Sequence, residues 1–143
     1  MKKVLIPIDG SDCALRAVAL VIAKRSRYAR PEDIEIHLVN VQAPFSHDVS
    51  RFISAEQIAD FHREESERTM AEACTLLDAA EAQYTCHHKI GNIAEEITAL
   101  ADHLKCSQIV MGTHGRGAIG ELLTGSITLK VIHLAKMPIL LVK

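Results

Sequence analysis

The stretch GTHGRGAIGELLTGSIT, residues 112–128, carries five of the seven glycines of the chain. The segment Gln108–Met111 precedes it and has the apolar, β-branched composition of a buried strand. Gly125 and Ser126 then open a helix that is predicted to end near Lys136. A strand, a glycine-rich loop and a helix N-terminus, in this order, are typical of anion-binding turns in α/β proteins.

Four other segments also have the composition of buried strands, and helical segments separate them along the chain. They are Lys2–Ile8, Ile34–Val41, Thr85–Ile90 and Pro138–Val142. The alternation predicts an α/β fold with an open five-stranded parallel sheet, helices on both faces, and a single domain over residues 1–143. Because proline lacks a ladder donor, Pro138 favours an edge position for the last strand.

Ligands of such sheets bind beyond the carboxyl ends of the strands, where the strand order reverses. The sequence therefore predicts that a ligand binds at the loops that follow Ile8, Val41, Ile90 and Met111.

Helical periodicity predicts which side chains the helices bury. In the first helix these are Leu15, Val18, Ala19 and Ile22. Residues 54–83 predict one long helix or two, with a buried face formed by Ile58, Phe61, Met70, Ala73, Cys74 and Leu77. Asn92 is the predicted N-cap of a later helix that buries Ile93, Ile97, Leu100, Ala101 and Leu104.

Composition narrows the function classes. The chain has 143 residues, 48% apolar content, a net charge of −2 and no Trp, which disfavours nucleic acid as a partner. The longest apolar run, residues 17–23, is far shorter than the about 20 residues that span a bilayer, so no membrane partner and a cytoplasmic location are expected. The four cysteines form no CxxC pair and are predicted to be free thiols.

Residues 115–120 match GxGxxG literally, but they do not predict a dinucleotide site. Such a site needs a second strand and an acidic residue about 20 positions later, where this chain has only its apolar end. A Walker A loop is excluded as well, because no lysine precedes Ser126.

The wider spacing G-x2-G-x9-G-S, from Gly112 through Gly115 to Gly125, favours a polyphosphate ligand. Backbone amides near Gly115 could approach an anion, and a side chain there is expected to block this approach and to strain a positive φ. Ser126 would add a hydroxyl at the helix N-terminus and Thr128 a second one. The same glycines also fit simple turns and a helix cap.

Other polar residues suggest weaker alternatives. Cys86-His87-His88 and His103-x2-Cys106 resemble pairs of metal ligands, although neither has a four-ligand zinc spacing. His114 could act as a general base toward a γ-phosphate, or could be a solvated loop residue. Arg116 could pair with a phosphate, or could be an exposed loop side chain.

The glycine pattern, VLIPIDGS at residues 4–11 and MPILLV at residues 137–142 together resemble the universal stress protein family. The resemblance covers essentially the whole chain, and the G-x2-G-x9-G-S pattern matches the ATP-binding members. It implies a Rossmann-like fold, similar to adenine nucleotide alpha hydrolases, and a homodimer formed through the terminal strand 138–142.

The resemblance also implies roles for individual residues. Pro7, Ile8 and Asp9 would line the adenosine side, with Asp9 near the ribose or a Mg²⁺ bound to the nucleotide. Val41 would offer backbone groups to adenine. The residues that would surround the phosphates are Met111, Gly112, His114, Gly115, Arg116, Gly125, Ser126, Ile127 and Thr128.

These roles predict a cytoplasmic protein that binds ATP, or ADP or AMP, with Mg²⁺, and that acts as a nucleotide-dependent regulatory module in a stress response. The alternative is a slow Mg²⁺-dependent ATPase or phosphotransferase that uses the same pocket. Fast phosphoryl transfer needs cationic stabilisation of the transition state, and the glycine loop supplies one arginine and no lysine. Binding without fast turnover is therefore the favoured interpretation.

Overall fold

The computed structural model describes residues 2–115 and 124–143. Strands and helices alternate along them as the sequence predicts. The strands are β1 (Lys3–Pro7), β2 (Glu35–Gln42), β3 (Tyr84–Ile90), β4 (Gln108–Gly112) and β5 (Ile139–Val142). The helices are α1 (Asp12–Arg25), α2 (His47–Ser50), α3 (Ala55–Ala79), α4 (Ile93–His103) and α5 (Ser126–Leu134), and a 3-10 turn covers Pro31–Asp33.

All five strands are parallel and form one sheet in the order β3-β2-β1-β4-β5. This confirms the predicted α/β class and the Rossmann-like architecture. From β1 the chain first builds outward to β2 and β3, then crosses to β4 on the other side of β1. The strand order therefore reverses between β1 and β4. β5 lies at an edge of the sheet, as Pro138 predicts.

The sheet has a packed core on each face. Val4 and Ile6 of β1 point toward α1 and α3, whereas Leu5 points toward α4 and α5, which is the alternation expected of a strand buried on both sides. Because apolar side chains cover both faces, the central strands are nearly continuous apolar runs in the sequence.

α3 is a single helix of 25 residues, and Ser54 and Gln57 form a capping box at its start. Its first half buries other residues than predicted. Phe61 is 50% exposed, while His62 and Ser66 are buried. His62 hydrogen-bonds Gln42 of β2 at 2.7 Å, and Ser66 hydrogen-bonds His88 of β3 at 2.6 Å. Polar partners on the sheet thus decide which face of this helix is buried.

α1 also departs from the predicted stripe at one position. Ala19 is exposed, Leu15 and Ile22 are half-buried against the core, and the fully buried residues are Cys13, Ala14, Ala17, Val18 and Val21. Small residues dominate this face, which lets α1 lie close to the sheet.

In the part of the chain that the structure describes, no helix is long and apolar enough to cross a membrane.

Candidate functional site

A cavity of about 440 Å³ opens at the carboxyl ends of the central strands, beside the point where the strand order reverses. Its volume lies within the range of roughly 300–1,000 Å³ that is usual for small-molecule sites. Twelve of the thirteen residues predicted for nucleotide binding line it, and the thirteenth, Arg116, lies outside the described residues. The twelve are Pro7, Ile8, Asp9, Val41, Met111, Gly112, His114, Gly115, Gly125, Ser126, Ile127 and Thr128.

The turn after β1 positions Asp9 at this cavity. Two groups of β2 hold the end of the strand: the Val39 carbonyl accepts from Ile8 N–H, and Asn40 Nδ2 donates to the Ile8 carbonyl, both at 2.8 Å. Asp9 Oδ1 then accepts from Ser11 N–H at 3.0 Å. Gly10 between them has φ +81°, a conformation that only glycine adopts without strain.

Gly115 lies directly against Asp9. A Cβ placed on Gly115 would be 2.8 Å from Asp9 Oδ2, which is too close for a carbon atom and a carboxylate oxygen. The prediction of a positive φ at Gly115 is wrong, because among the described glycines only Gly10 and Gly91 have one. Glycine at this position therefore avoids a collision with the carboxylate, and backbone strain is not the reason.

Gly112 has a different structural role from the one that its spacing suggests. A Cβ there would meet Cys13 Cβ at 2.5 Å and the backbone nitrogen of Ala14 at 3.2 Å. The glycine thus allows the first turn of α1 to pack against the end of β4. Gly112 therefore shapes the cavity by allowing this close contact between α1 and β4.

The N-terminus of α5 faces the cavity at the same end. Its N-cap, Gly125, makes no side-chain cap, and Gly125 N–H itself donates to the Thr113 carbonyl at 2.8 Å. The next three residues, 126–128, line the cavity, and the first turn contains no acidic side chain. Amides of a first helical turn lack intrahelical partners and carry roughly half a unit of positive charge, so this end of the cavity suits an anion.

The hydroxyl of Thr128 is already used within the protein. Thr128 Oγ1 donates to the Gly112 carbonyl at 3.2 Å, and the Thr113 carbonyl lies 3.4 Å away. Its single hydrogen holds α5 against the end of β4. The expectation that Thr128 supplies a donating hydroxyl to a phosphate does not agree with this geometry.

His114 brings an unsatisfied ring nitrogen to the cavity wall. Its Nδ1 lies 2.9 Å from Thr113 Oγ1, whereas its Nε2 is buried and has no hydrogen-bond partner among the described residues. A buried polar atom without a partner carries a free-energy cost of about 1–3 kcal/mol.

The other end of the cavity is apolar and contains the residues that the motifs do not predict. Val39, Ile93 and Ile97 line this end, and Ser11 and Ala14 also contribute to the wall. Strand alternation could have indicated Val39, because it lies two residues before Val41 on the same face. Ile93 and Ile97 carry no such signal, since their helical spacing is the same as that of core residues.

The two histidines of the first candidate metal pair make other contacts. His37 Nδ1 and His87 Nε2 are 2.9 Å apart, and His88 bonds Ser66. No cluster of three or more His, Cys, Asp or Glu side chains in residues 2–115 and 124–143 could hold a metal ion.

Sequence comparisons identify relatives of this chain. The profile of the Universal stress protein family matches residues 1–143. Universal stress protein MJ0531 of Methanocaldococcus jannaschii is 31% identical over 148 residues, which cover 99% of this chain and 82% of that protein. A universal stress protein of Thermus aquaticus is 32% identical over 142 residues, which cover 99% of this chain and 98% of that protein.

Solved structures have the same fold. That of MJ0577, from Methanocaldococcus jannaschii, has a TM-score of 0.82 at 29% identity and covers 99% of this chain and 95% of that one. A universal stress protein in complex with cAMP has a TM-score of 0.70 at 26% identity and covers 99% of this chain and 97% of that one. Because the family profile and the relatives extend over the whole chain, the protein belongs to the universal stress protein family.

Proposed function

We propose that the protein binds an adenine nucleotide in the cavity between β1 and β4 and acts as a nucleotide-dependent regulatory module in a stress response. One domain over residues 1–143 and a cytoplasmic location are part of this proposal. The main observation behind this proposal is the N-terminus of α5, which has no side-chain cap and faces the contact between Asp9 and Gly115. This contact lies at one end of the cavity, and the other end is apolar. The relative bound to cAMP supports the same ligand class.

The two ends of the cavity match the two halves of a nucleotide. Adenine would lie against Val39, Val41 and Ile97, where backbone groups at the end of β2 can bond its edge. The phosphates would lie at Gly115 and the first turn of α5. ATP, ADP and AMP are all compatible with this arrangement, and ATP would form hydrogen bonds with the largest number of backbone amides.

The residues at the phosphate end also fit a Mg²⁺ ion that enters with the nucleotide. Asp9 would be its protein ligand, because a carboxylate is a hard oxygen donor and Mg²⁺ usually binds through one or two carboxylates together with phosphate oxygens. The ion would neutralise part of the phosphate charge beside this carboxylate.

Replacement of Ser126 by aspartate tests the anion end directly. Ser126 is exposed and is the first residue of α5, so Ser126→Asp should leave the empty protein at least as stable, because an acid there complements the helix dipole. The same carboxylate should repel phosphates and weaken ATP binding by about tenfold or more, equivalent to about 1.4 kcal/mol. Isothermal titration calorimetry of the full chain with Mg²⁺ and ATP measures the change.

Ser126→Asn is the matched control, since it has nearly the same shape and no charge. We expect it to bind ATP much more tightly than Ser126→Asp, and adenosine should distinguish the two variants far less than ATP does. Equal ATP affinities for the two variants would contradict the placement of the phosphates at the first turn of α5. Absence of ATP, ADP and AMP binding by the wild-type chain would overturn the proposed function itself.

We also propose a homodimer in which two copies meet at β5. The carbonyl of Pro138 accepts from Ile109 of β4, and that of Val142 accepts from Thr113, which follows β4. The backbone of Leu141 therefore points away from β4 at the edge of the sheet. An apolar edge of this kind promotes pairing with another strand.

Leu141→Lys should convert this dimer to monomer at micromolar concentration, because a charged side chain at an edge disfavours strand pairing. Leu141 suits the test because it is 36% exposed, whereas Leu140 packs against the core and its replacement would also destabilise the fold. Sedimentation velocity measures the mass. An unchanged dimer in Leu141→Lys would place the interface elsewhere.

A further inference from the structure

Two of the four cysteines lie next to each other although they belong to different elements. Cys74 on α3 and Cys86 on β3 both contact the core on the α1 and α3 face, and their Sγ atoms are 3.7 Å apart. A disulfide needs about 2.05 Å, so the two sulfurs would have to approach by about 1.7 Å.

We propose that Cys74 and Cys86 form an oxidation site, at which a hydroperoxide converts the two thiols into an intramolecular disulfide that links α3 to β3. The other cysteines offer no alternative pairing with each other. Cys13 is buried on α1 and its sulfur accepts from Arg16 Nη2 at 2.7 Å. Cys106 packs in the core on the opposite face of the sheet.

The surroundings of the pair indicate which thiol reacts first. Burial, followed by the contact with Cys74, raises the pKa of Cys86 to about 12, so Cys86 remains protonated and Cys74 is the thiol that attacks first. The Tyr84 hydroxyl is a second neighbour, and burial together with Cys74 raises its pKa as well. The hydrogen of this hydroxyl is donated to Asp78 Oδ1 at 2.9 Å, so the order of the two thiols follows from the raised pKa of Cys86 alone.

The oxidation balances in two steps. The Cys74 thiolate attacks the nearer peroxide oxygen, the O–O bond breaks, and the leaving oxygen takes a proton to give an alcohol or water, while Cys74 becomes a sulfenic acid. Cys86 then loses its proton and attacks the Cys74 sulfur; the S–S bond forms and hydroxide leaves, taking that proton to form water. The two cysteines lose two electrons in total, and the peroxide gains them.

The position of the bond gives it a structural effect. β3 is an edge strand that, among the described strands, pairs with β2 alone, and its last three residues are exposed. The disulfide would tie this strand to α3 and close the short loop of residues 74–86. Such a cross-link restricts the unfolded chain and is expected to raise the thermal midpoint by about 5–10 °C.

The test uses the full chain treated with hydrogen peroxide, then alkylated and digested with an endoproteinase that cleaves after glutamate. Trypsin leaves both cysteines in one peptide, because no lysine or arginine lies between them, whereas cleavage at Glu72, Glu81 and Glu95 separates them. We expect the intact mass before alkylation to fall by two hydrogen atoms, and the peptides 73–81 and 82–95 to appear linked after digestion. Full alkylation of both cysteines after peroxide treatment would overturn the proposal.

Two variants serve as controls. Cys106→Ala should still form the link, because Cys106 lies on the other face of the sheet. Cys86→Ser should lose the link, the gain in thermal midpoint and the protection of Cys74 from alkylation. Conversion of Cys74 in the wild-type chain to a sulfinic acid, with two added oxygen atoms and no linked peptides, would show that Cys86 does not reach it and would also overturn the proposal.

Discussion

ATP binding should be lost in Gly115→Val while the protein keeps its fold. A Cβ at this position would lie 2.8 Å from Asp9 Oδ2, so the added side chain must displace either the Asp9 carboxylate or the start of the glycine loop. Both line the cavity where the phosphates are proposed to bind. We expect a loss of at least about 100-fold in affinity, which corresponds to about 2.7 kcal/mol.

Calorimetry gives the affinity, and circular dichroism with thermal melting shows whether the variant folds. Gly115 is exposed, so its replacement disturbs no core packing. Gly112→Ala is a useful contrast, because its Cβ would collide with Cys13 and should lower the thermal midpoint by destabilising the contact between α1 and β4. Unchanged ATP affinity in a folded Gly115→Val protein would contradict the proposed site.

A double-mutant cycle identifies the cause of the loss. If the added side chain acts by displacing Asp9, then Asp9→Ala and Gly115→Ala should not be additive: the double variant should bind better than the product of the two single losses predicts. Additive losses would indicate that Gly115 acts through its own backbone and not through the carboxylate.

ATP turnover should be slower than about once per minute, well below the roughly 1–10³ s⁻¹ usual for enzymes. The cavity offers helix amides and the Ser126 hydroxyl, and its described lining contains no lysine or arginine. Such groups bind the substrate and the transition state almost equally, which lowers a dissociation constant without lowering the chemical barrier. A cation that stabilises the transition state typically increases the rate by about 10³–10⁵-fold.

His114→Ala separates the binding module from the slow enzyme. His114 is the side chain in the described lining that most resembles a general base, because its Nε2 is buried there without a partner among the described residues. We expect its removal to change the rate of residual hydrolysis by less than about threefold. Loss of a true general base would typically lower the rate by about 10²–10⁴-fold. Single-turnover assays with radiolabelled ATP measure both proteins.

Arg116→Ala belongs in the same assay, because Arg116 is the cation of the glycine loop and lies outside the described residues. Turnover near once per second that collapses in either variant would replace the regulatory module with an ATPase or phosphotransferase. Slow hydrolysis in all three proteins, together with tight ATP binding, is the result that the proposed function requires.

Several features of this protein are determined by local sequence. Buried parallel strands must be apolar on both faces, so runs such as Val4–Ile8 and Ile109–Met111 predict the sheet and its class. Pro138 predicts an edge strand because it lacks a donor. The glycines, with the carboxyl ends of β1 and β4, predict the place of the cavity, and the resemblance to the family implies twelve of the residues that line it.

Other features depend on which elements pack together and were decided only by the tertiary structure. His62 and Ser66 are buried in place of Phe61 because Gln42 and His88 supply polar partners from the sheet.

The reason for glycine at position 115 is Asp9, more than a hundred residues earlier in the chain. Cys74 and Cys86 look like isolated thiols in the sequence and lie 3.7 Å apart in the fold. Periodicity and propensity describe the environment of one element at a time. Contacts between side chains on separate elements follow from the relative placement of those elements, which no local pattern contains.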